Sequence, residues 1–367
     1  MERKNAWAAY AGDDGRVEAF AKAYCDFINN GKTERECVAY GEKLAKAHGF
    51  EDLNAVVRSG RKLEAGARVY ANWMGKSFML FVLGEKPLEE GMNILGAHID
   101  SPRIDVKQNP LYEDTDLAYL DTHYYGGIKK YQWVAIPLAL HGVIVRKTGE
   151  KVIINIGEDE NDPVFCISDL LVHLAQEQMT KNAKEVVEGE ALNLIVGGRP
   201  LEGEEKDAVK ANVLKLLADK YGVEEEDFLS AELEIVPAGK ARDMGFDRSM
   251  ILAYGHDDRV CAYPSMMAVL DYEGTPEYTL CCIVTDKEEI GSVGATGMAS
   301  HYLENTVAEL YACTADYCEL AVRRCLRNSR MLSSDVSAGY DPLYASAFEK
   351  KNAAILGHGV CYNKFTG

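Results

Sequence analysis

No apolar run in the sequence is long enough to cross a bilayer. Its most hydrophobic stretch, from Val134 to Val145, is interrupted by Pro137 and His141, and a spanning helix needs roughly 20 apolar residues. The first residues, Met-Glu-Arg-Lys-Asn-Ala-Trp, lack the apolar core of a secretory signal, so the expectation is a mature chain starting at Met1 and working in the cytoplasm. Positive charge is also short: 40 Lys and Arg stand against 58 Asp and Glu, a net charge of −18. Such a surface repels phosphate backbones and anionic lipids and attracts cations, which argues against nucleic-acid and membrane partners. The ten cysteines include no C-x-x-C pair, and Cys281 and Cys282 are adjacent. Scattered in this way they read as reduced, buried thiols, not as a disulfide framework or a cysteine zinc site. H-E-x-x-H, G-x-S-x-G, internal repeats and low-complexity tracts are absent too.

What the chain does have is length. Its 367 residues with 47% hydrophobic content imply two domains or one large elaborated α/β domain. From about Asn5 to Gly49, helical spacing of apolar residues broken at Asn29-Asn30-Gly31 predicts two helices. From Ser77 the texture changes to short buried-strand runs, FMLFVLG and NILGAHID. After Pro102 it changes again, to polar, glycine-punctuated strands (WVAIPLALHGVIVRK, KVIINIGE), a helix around Leu170 to Lys181 and an amphipathic helix from Lys206 to Tyr221. Buried-strand texture resumes at Met250 and alternates with helices as far as a strand near Arg330 to Ser333. The pattern predicts one α/β domain interrupted by a separate module.

Acidic residues and a histidine recur just after short apolar strands. ILGAHID supplies His98 and Asp100, ILAYGHDDR supplies Asp257 and Asp258, LCCIVTDKEE supplies Asp286, Glu288 and Glu289, and MLSSDV supplies Asp335. Ligands of open α/β sheets bind beyond the carboxyl ends of the strands, so these four places can converge on one crevice. A single acid there is as readily a helix cap; four, with an H-x-D and an E-E among them, point to a divalent-cation site. In H-x-D the imidazole can meet a metal while the carboxylate orients it. In E-E one carboxylate can ligate while its neighbour takes a proton from water. Asp257, opening a helix that runs to Leu270, has two oxygens with which to bridge two cations. Histidine with carboxylates suits zinc or a similar ion.

Two other motifs fail. Gly75-Lys76-Ser77 lacks the earlier glycine of a phosphate loop, where Tyr70 stands, and Gly291, Gly294 and Gly297 have the wrong spacing for a dinucleotide turn. They read as flexibility in the loop that carries the acids. His173, in DLLVHLAQEQ, on its own reads as a packed histidine.

In these motifs the chain resembles the aspartyl aminopeptidase family, which includes vacuolar aminopeptidase I, of dinuclear zinc metallopeptidases. The resemblance rests on GAHIDSPRIDVKQNPLYE, YGGIKKYQWVAIPLALHGVI, DLLVHLAQ, HDDRVCAYPSMMAVLD, TDKEEIGSVGATGM, SSDVSAGYDP and EKKNAAILGHGV, in consistent order over nearly the whole chain. It implies an α/β fold with a mixed, mostly parallel sheet flanked by helices and an inserted β-rich dimerisation domain. The implied division is residues 1–102 and 240–367 for the catalytic domain and 103–239 for the insert. It implies two zinc ions per subunit, with Co2+ or Mn2+ as substitutes: His98, Asp257 and Asp335 on one, Asp257 bridging to a second held by Glu289, Glu288 as general base, and Asp100 orienting His98. It also implies removal of N-terminal residues, acidic by preference, from peptides, and a homo-oligomer, either a dimer or a dodecamer built from dimers, in which His173 reaches a neighbouring active site. A net −18 enzyme that takes acidic residues needs a local cation, and Lys364 is a candidate for it.

The family pattern continues into a segment whose histidine completes the second zinc site. No such histidine follows here, and His358 lies elsewhere in the pattern, so the expectation is a C-terminally truncated chain with a weakened second site. The alternatives are a non-catalytic assembly subunit of the same fold and a related dinuclear deacylase.

Overall fold

The structure, a computed structural model, describes residues 4–364. Two sheets organise it. The first takes β1 (Glu51–Asp52), β2 (Arg68–Trp73), β3 (Ser77–Val82) and β4 (Met92–His98) from the start of the chain. The second takes β5 (Arg103–Asp114), β6 (Leu117–Tyr125), β7 (Leu138–Val145), β8 (Lys151–Ile156), β9 (Leu194–Gly197) and β10 (Glu232–Pro237). A small hairpin of β11 (Arg242–Met244) and β12 (Met250–Leu252) leads back to the first sheet, which β13 (Thr279–Thr285) and β14 (Arg330–Ser333) complete.

The first sheet has the order β1-β2-β3-β13-β4-β14. β3 alone is reversed, antiparallel to β2 and β13, while the other pairings are parallel. Every residue of β3 is buried, because its alternating side chains feed two different cores. Phe78, Leu80 and Val82 pack with α1 (Asp14–Asn30), α2 (Glu34–Ala47) and α5 (His256–Leu270). Met79 and Phe81 pack with α3 (Leu53–Ser59), α6 (Tyr302–Thr314) and α7 (Glu319–Asn328). This is the period-two rule of a strand with helices on both faces. The mixed, mostly parallel sheet expected from the sequence is therefore present.

The second sheet is antiparallel throughout, in the order β8-β7-β10-β5-β6-β9. It packs on α4 (Ala208–Tyr221) and has its own apolar core around Leu138, Ile235 and Leu194. All its strands lie between Arg103 and Pro237. The ten cysteines are free. Among the described residues no helix is long and apolar enough to cross a membrane.

One expected element is not there. Residues 170–181 form turns and a short 3-10 segment, Gln178–Thr180, in place of a helix. Leu170, Leu171, Val172 and Leu174 are all exposed, Leu174 by 72%. A short helix gains most of its stability from packing an apolar face, and here the four apolar side chains from Leu170 to Leu174 are left exposed.

The two sheets meet through buried charge. Glu34, fully buried at the start of α2, pairs with Lys76 at 2.7 Å and with Arg103 at 3.1 Å. Lys76, from the first sheet, also pairs with Glu232 and reaches Glu234 at 3.6 Å, both on β10 of the second. Arg103 further contacts Asp105 at 2.8 Å and Glu234 at 3.3 Å. Burial by itself would raise the Glu34 carboxyl, yet Arg103 and Lys76 hold it well below its usual range. Burial, with Glu34 adding to it, pushes Glu234 up against the pull of Arg103. Breaking a buried pair from one side strands the partner's charge, at a cost of about 3–5 kcal/mol. Lys76→Met is therefore expected to destabilise the fold by about that much, and more than Glu232→Gln, because Glu232 is partly exposed and its loss leaves the buried Lys76 still paired with Glu34; urea unfolding of both variants measures the difference.

Candidate functional site

The parallel strands β13, β4 and β14 end together. Register places Thr285 beside His98 and Ser333 beside Gly96, so residues just past three strand ends share one edge. His98 is the last residue of β4, Glu288 and Glu289 follow β13, Asp335 follows β14, and Asp257 and Asp258 sit where α5 begins. The backbone at Asp257 and Asp258 is not yet helical, which turns both carboxylates towards β4 instead of along the helix.

His98 is buried, and its two nitrogens have different surroundings. Nδ1 lies 3.0 Å from the Asp100 carbonyl and 3.2 Å from the Asp100 carboxylate. Nε2 faces three carboxylates: Asp257 at 3.3 Å, Glu288 at 3.8 Å and Asp335 at 3.9 Å. Two sets of side chains bring ligand atoms within 4.8 Å of one another, His98 with Asp258 and Asp335, and His98 with Asp257 and Glu289.

Behind the imidazole, Asp100 gathers contacts from three strand ends. Fully buried, its carboxylate accepts hydrogen bonds from the backbone N–H of Glu288 at 3.1 Å, the N–H of Glu289 at 3.2 Å and the Tyr125 hydroxyl at 2.7 Å. One buried side chain thus fixes the imidazole and the acidic loop together. Gly126 adds to this by pressing the loop after β6 against that acidic loop. With φ +72, it brings the backbone so close that a Cβ there would lie 3.3 Å from the Glu289 Cβ, a conformation and an approach that suit glycine. Arg259, fully buried, donates to the Ile99 carbonyl at 3.1 Å and the Lys32 carbonyl at 3.0 Å, clamping the backbone between His98 and Asp100.

So much negative charge in one place shifts its protons. Burial disfavours the charged imidazole, but the Asp100 and Asp257 carboxylates outweigh it and raise His98 to about 11. Burial, reinforced by Asp257, pushes Glu289 up to about 7, and burial pushes Asp258 up to about 6. Two carboxylate oxygens, one each on Asp257 and Asp258, are buried without a hydrogen-bond partner; the Asp257 oxygen approaches His98 Nε2 but is not aligned for a hydrogen bond. Orphaned buried oxygens around an imidazole are what a divalent cation satisfies, and the donor set of one nitrogen and several carboxylate oxygens suits zinc.

The structure therefore brings together His98, Asp100, Asp257, Glu288, Glu289 and Asp335. His173 and Lys364 are exposed, the first in the 170–181 turns and the second at the end of the described chain. Asp258 joins the cluster alongside Asp257; the sequence flagged it without giving it a task. Tyr125 and Arg259 were not singled out at all, although both lie inside or beside quoted motifs, because nothing in a tyrosine ending a strand announces a bond to a distant carboxylate.

The family model described as aminopeptidase I zinc metalloprotease (M18) matches residues 27–366. The probable M18 family aminopeptidase 1 of Clostridium acetobutylicum is 56% identical over 370 residues, covering 100% of this chain and 79% of that protein. The crystal structure of the M18-family aminopeptidase from Thermotoga maritima superposes with a TM-score of 0.91 at 43% identity, covering 98% of this chain and 78% of that one. A more distant structure, the mApe1 dodecamer of S. cerevisiae, has a TM-score of 0.71 at 20% identity over 93% of this chain and 76% of that one, a likeness of fold.

A cation held by His98 and Glu289 would displace the protons these groups otherwise keep. Glu289 holds its proton up to about 7 and His98 up to about 11. Zinc binding is thus expected to release about two protons below pH 7 and about one between 7 and 11, with apparent affinity climbing more steeply in the lower range. Titration calorimetry in two buffers of different ionisation enthalpy counts the protons.

Proposed function

The chain belongs to the aminopeptidase I zinc metalloprotease (M18) family and is a metalloaminopeptidase, and from that premise we propose that it removes N-terminal residues, acidic ones by preference, from peptides in the cytoplasm. The observation that carries the reading is that Asp257, Glu288 and Asp335 face His98 Nε2 at 3.3, 3.8 and 3.9 Å, while Glu289 brings a ligand oxygen within 4.8 Å of those of His98 and Asp257. In this proposal His98, Asp257 and Asp335 hold one zinc, and Asp257 with Glu289 holds a second. Asp258 is the additional oxygen available beside them. Zinc, when bound, supplies Lewis-acid polarisation of the scissile carbonyl and acidifies water.

The chain's own residues do the rest. Asp100 fixes the imidazole through Nδ1, so that Nε2 is the nitrogen presented to the site. The Glu288 side chain is half-exposed and borders the cluster, placed to take a proton from the attacking water and return it to the leaving amine. The surrounding carboxylates offer the peptide's N-terminal ammonium its counter-charge. Lys364 is the proposed partner for an acidic substrate side chain.

We further propose that residues 1–102 and 240–367 form the catalytic domain and 103–239 the insert, and that the protein is a homo-oligomer. The exposed run of Leu170, Leu171, Val172 and Leu174 supports the assembly, since apolar side chains grouped this way mark an interface. A second copy covering that run would carry His173 to the edge of a neighbouring site.

Glu288→Gln is expected to lower kcat by about 10²- to 10⁴-fold with zinc content unchanged; full activity at normal zinc content would sink the assignment. Aminoacyl chromogenic substrates ending in Asp or Glu should be cleaved faster than the Leu or Ala equivalents, and equal rates would remove the acidic preference. Leu171→Glu with Leu174→Glu should lower the mass measured by sedimentation, whereas an unchanged mass would place the subunit contact elsewhere.

A further inference from the structure

We propose that Tyr125, delivered by the second sheet, is a positioning residue for the catalytic centre, and that Arg103 seats it there. The inference rests on the reading above in which Asp100 orients His98 for metal. Asp100 is fully buried, so the four groups that touch its carboxylate must come from the protein. Three of them, the His98 imidazole and the N–H groups of Glu288 and Glu289, belong to the site itself. The fourth is the Tyr125 hydroxyl at 2.7 Å, the shortest of the set. It bonds the same oxygen that accepts from the Glu289 N–H. Without the hydroxyl, that oxygen keeps one donor at 3.2 Å, and the carboxylate is free to swing within the space vacated.

Tyr125 is placed by the insert and not by the sheet that carries the other residues. It is the last residue of β6 and stands opposite Arg103 of β5 in the antiparallel register. The Arg103 guanidinium lies 3.9 Å from the centre of its ring, a close cation–π stack. Arg103 is itself locked by Glu34 from α2 and by Asp105 and Glu234 from the second sheet. A continuous line of buried contacts therefore runs from the charged seam between the sheets, through Arg103, Tyr125 and Asp100, to His98. The position of the metal-facing nitrogen depends on how the second sheet sits against the first.

The test uses the full chain and the Tyr125→Phe variant, which keeps the ring on Arg103 and removes only the hydroxyl. Removing a partner that orients a metal ligand costs 10- to 100-fold in affinity or activity, and Tyr125 stands one bond further out. The variant is expected to bind zinc about tenfold more weakly in competition with a chromogenic chelator, and to lose about tenfold in kcat with KM within about twofold. The absorption spectrum of the cobalt-substituted protein should change, while the melting temperature moves by no more than about 3 °C. Arg103→Lys, which keeps the charge and loses the planar stack, should shift the cobalt spectrum in the same direction. Parental zinc affinity and cobalt spectrum in Tyr125→Phe would overturn the inference, as would a loss of activity that only tracks a lowered melting temperature. His98→Ala run alongside separates the two readings. If it abolishes tight zinc binding while Tyr125→Phe changes nothing, the positioning role alone falls. If it too binds zinc like the parent, the reading of the site falls and takes this inference with it.

Discussion

The buried carboxylate of Asp100 is the interaction on which the site's geometry depends. Its bonds to His98, to the N–H groups of Glu288 and Glu289 and to Tyr125 tie three strand ends and two sheets to one pair of oxygens. Charge-assisted hydrogen bonds of this kind are about twice as strong as neutral ones, and burial excludes water as a substitute partner. Each donor therefore reports on the position of the others. Burial alone would raise the Asp100 carboxyl, but His98 and Tyr125 keep it below its ordinary range, so it remains an acceptor at working pH.

That arrangement leaves a deliberate imbalance on the other side of the imidazole. Asp257 and Asp335 face Nε2, and Asp258 joins His98 and Asp335, as Glu289 joins His98 and Asp257, in sets whose ligand atoms lie within 4.8 Å of one another. Like charges at this separation are costly in a half-buried place. The crowding shows in the raised proton affinity of His98, driven against burial by Asp100 and Asp257, and of Glu289, driven by burial and Asp257. The contrast with the seam between the sheets is instructive. There Glu34, Glu232 and Glu234 also lie within 4.8 Å of one another, but Lys76 and Arg103 stand among them. One acidic cluster is paired with lysine and arginine; the other surrounds an imidazole, a donor set that suits a divalent cation.

Much of this was legible in the sequence because it is local. FMLFVLG, NILGAHID and LCCIVTD have the apolar continuity of buried strands, and the acids that follow them fall at strand ends by counting alone. The two N-terminal helices were legible for the same reason, a helical apolar stripe broken at Asn29-Asn30-Gly31; the structure adds the reciprocal cap of Thr33 and Glu36 at the start of α2. What could not be read is what depends on the partner surface. Leu170 to Leu174 has helical spacing, but spacing predicts a helix only where a face is available to bury it. Tyr125 and Arg103 are separated from Glu34 and Asp100 by register and packing, not by a motif. Asp258 was visible only as the second of two adjacent acids, and its turn towards His98 comes from backbone that has not yet become helical.

The distribution of the site over the fold has a consequence for how it forms. β4, β13 and β14 contribute their ends, α5 its first turn, and β6 its last residue, so no segment that could fold alone contains more than a fraction of the cation's neighbours. Until the first sheet is assembled, His98 and Asp335 are 237 positions apart in sequence and the loop-closure entropy opposes their meeting. A cation that binds only the assembled arrangement must therefore stabilise the native state in proportion to its affinity and concentration. It does so by joining the elements at the edge where the carboxylates would otherwise push them apart. The seam of Lys76 and Arg103 fastens the two sheets with side chains alone, and through Tyr125 and Asp100 it adjoins the edge that carries His98.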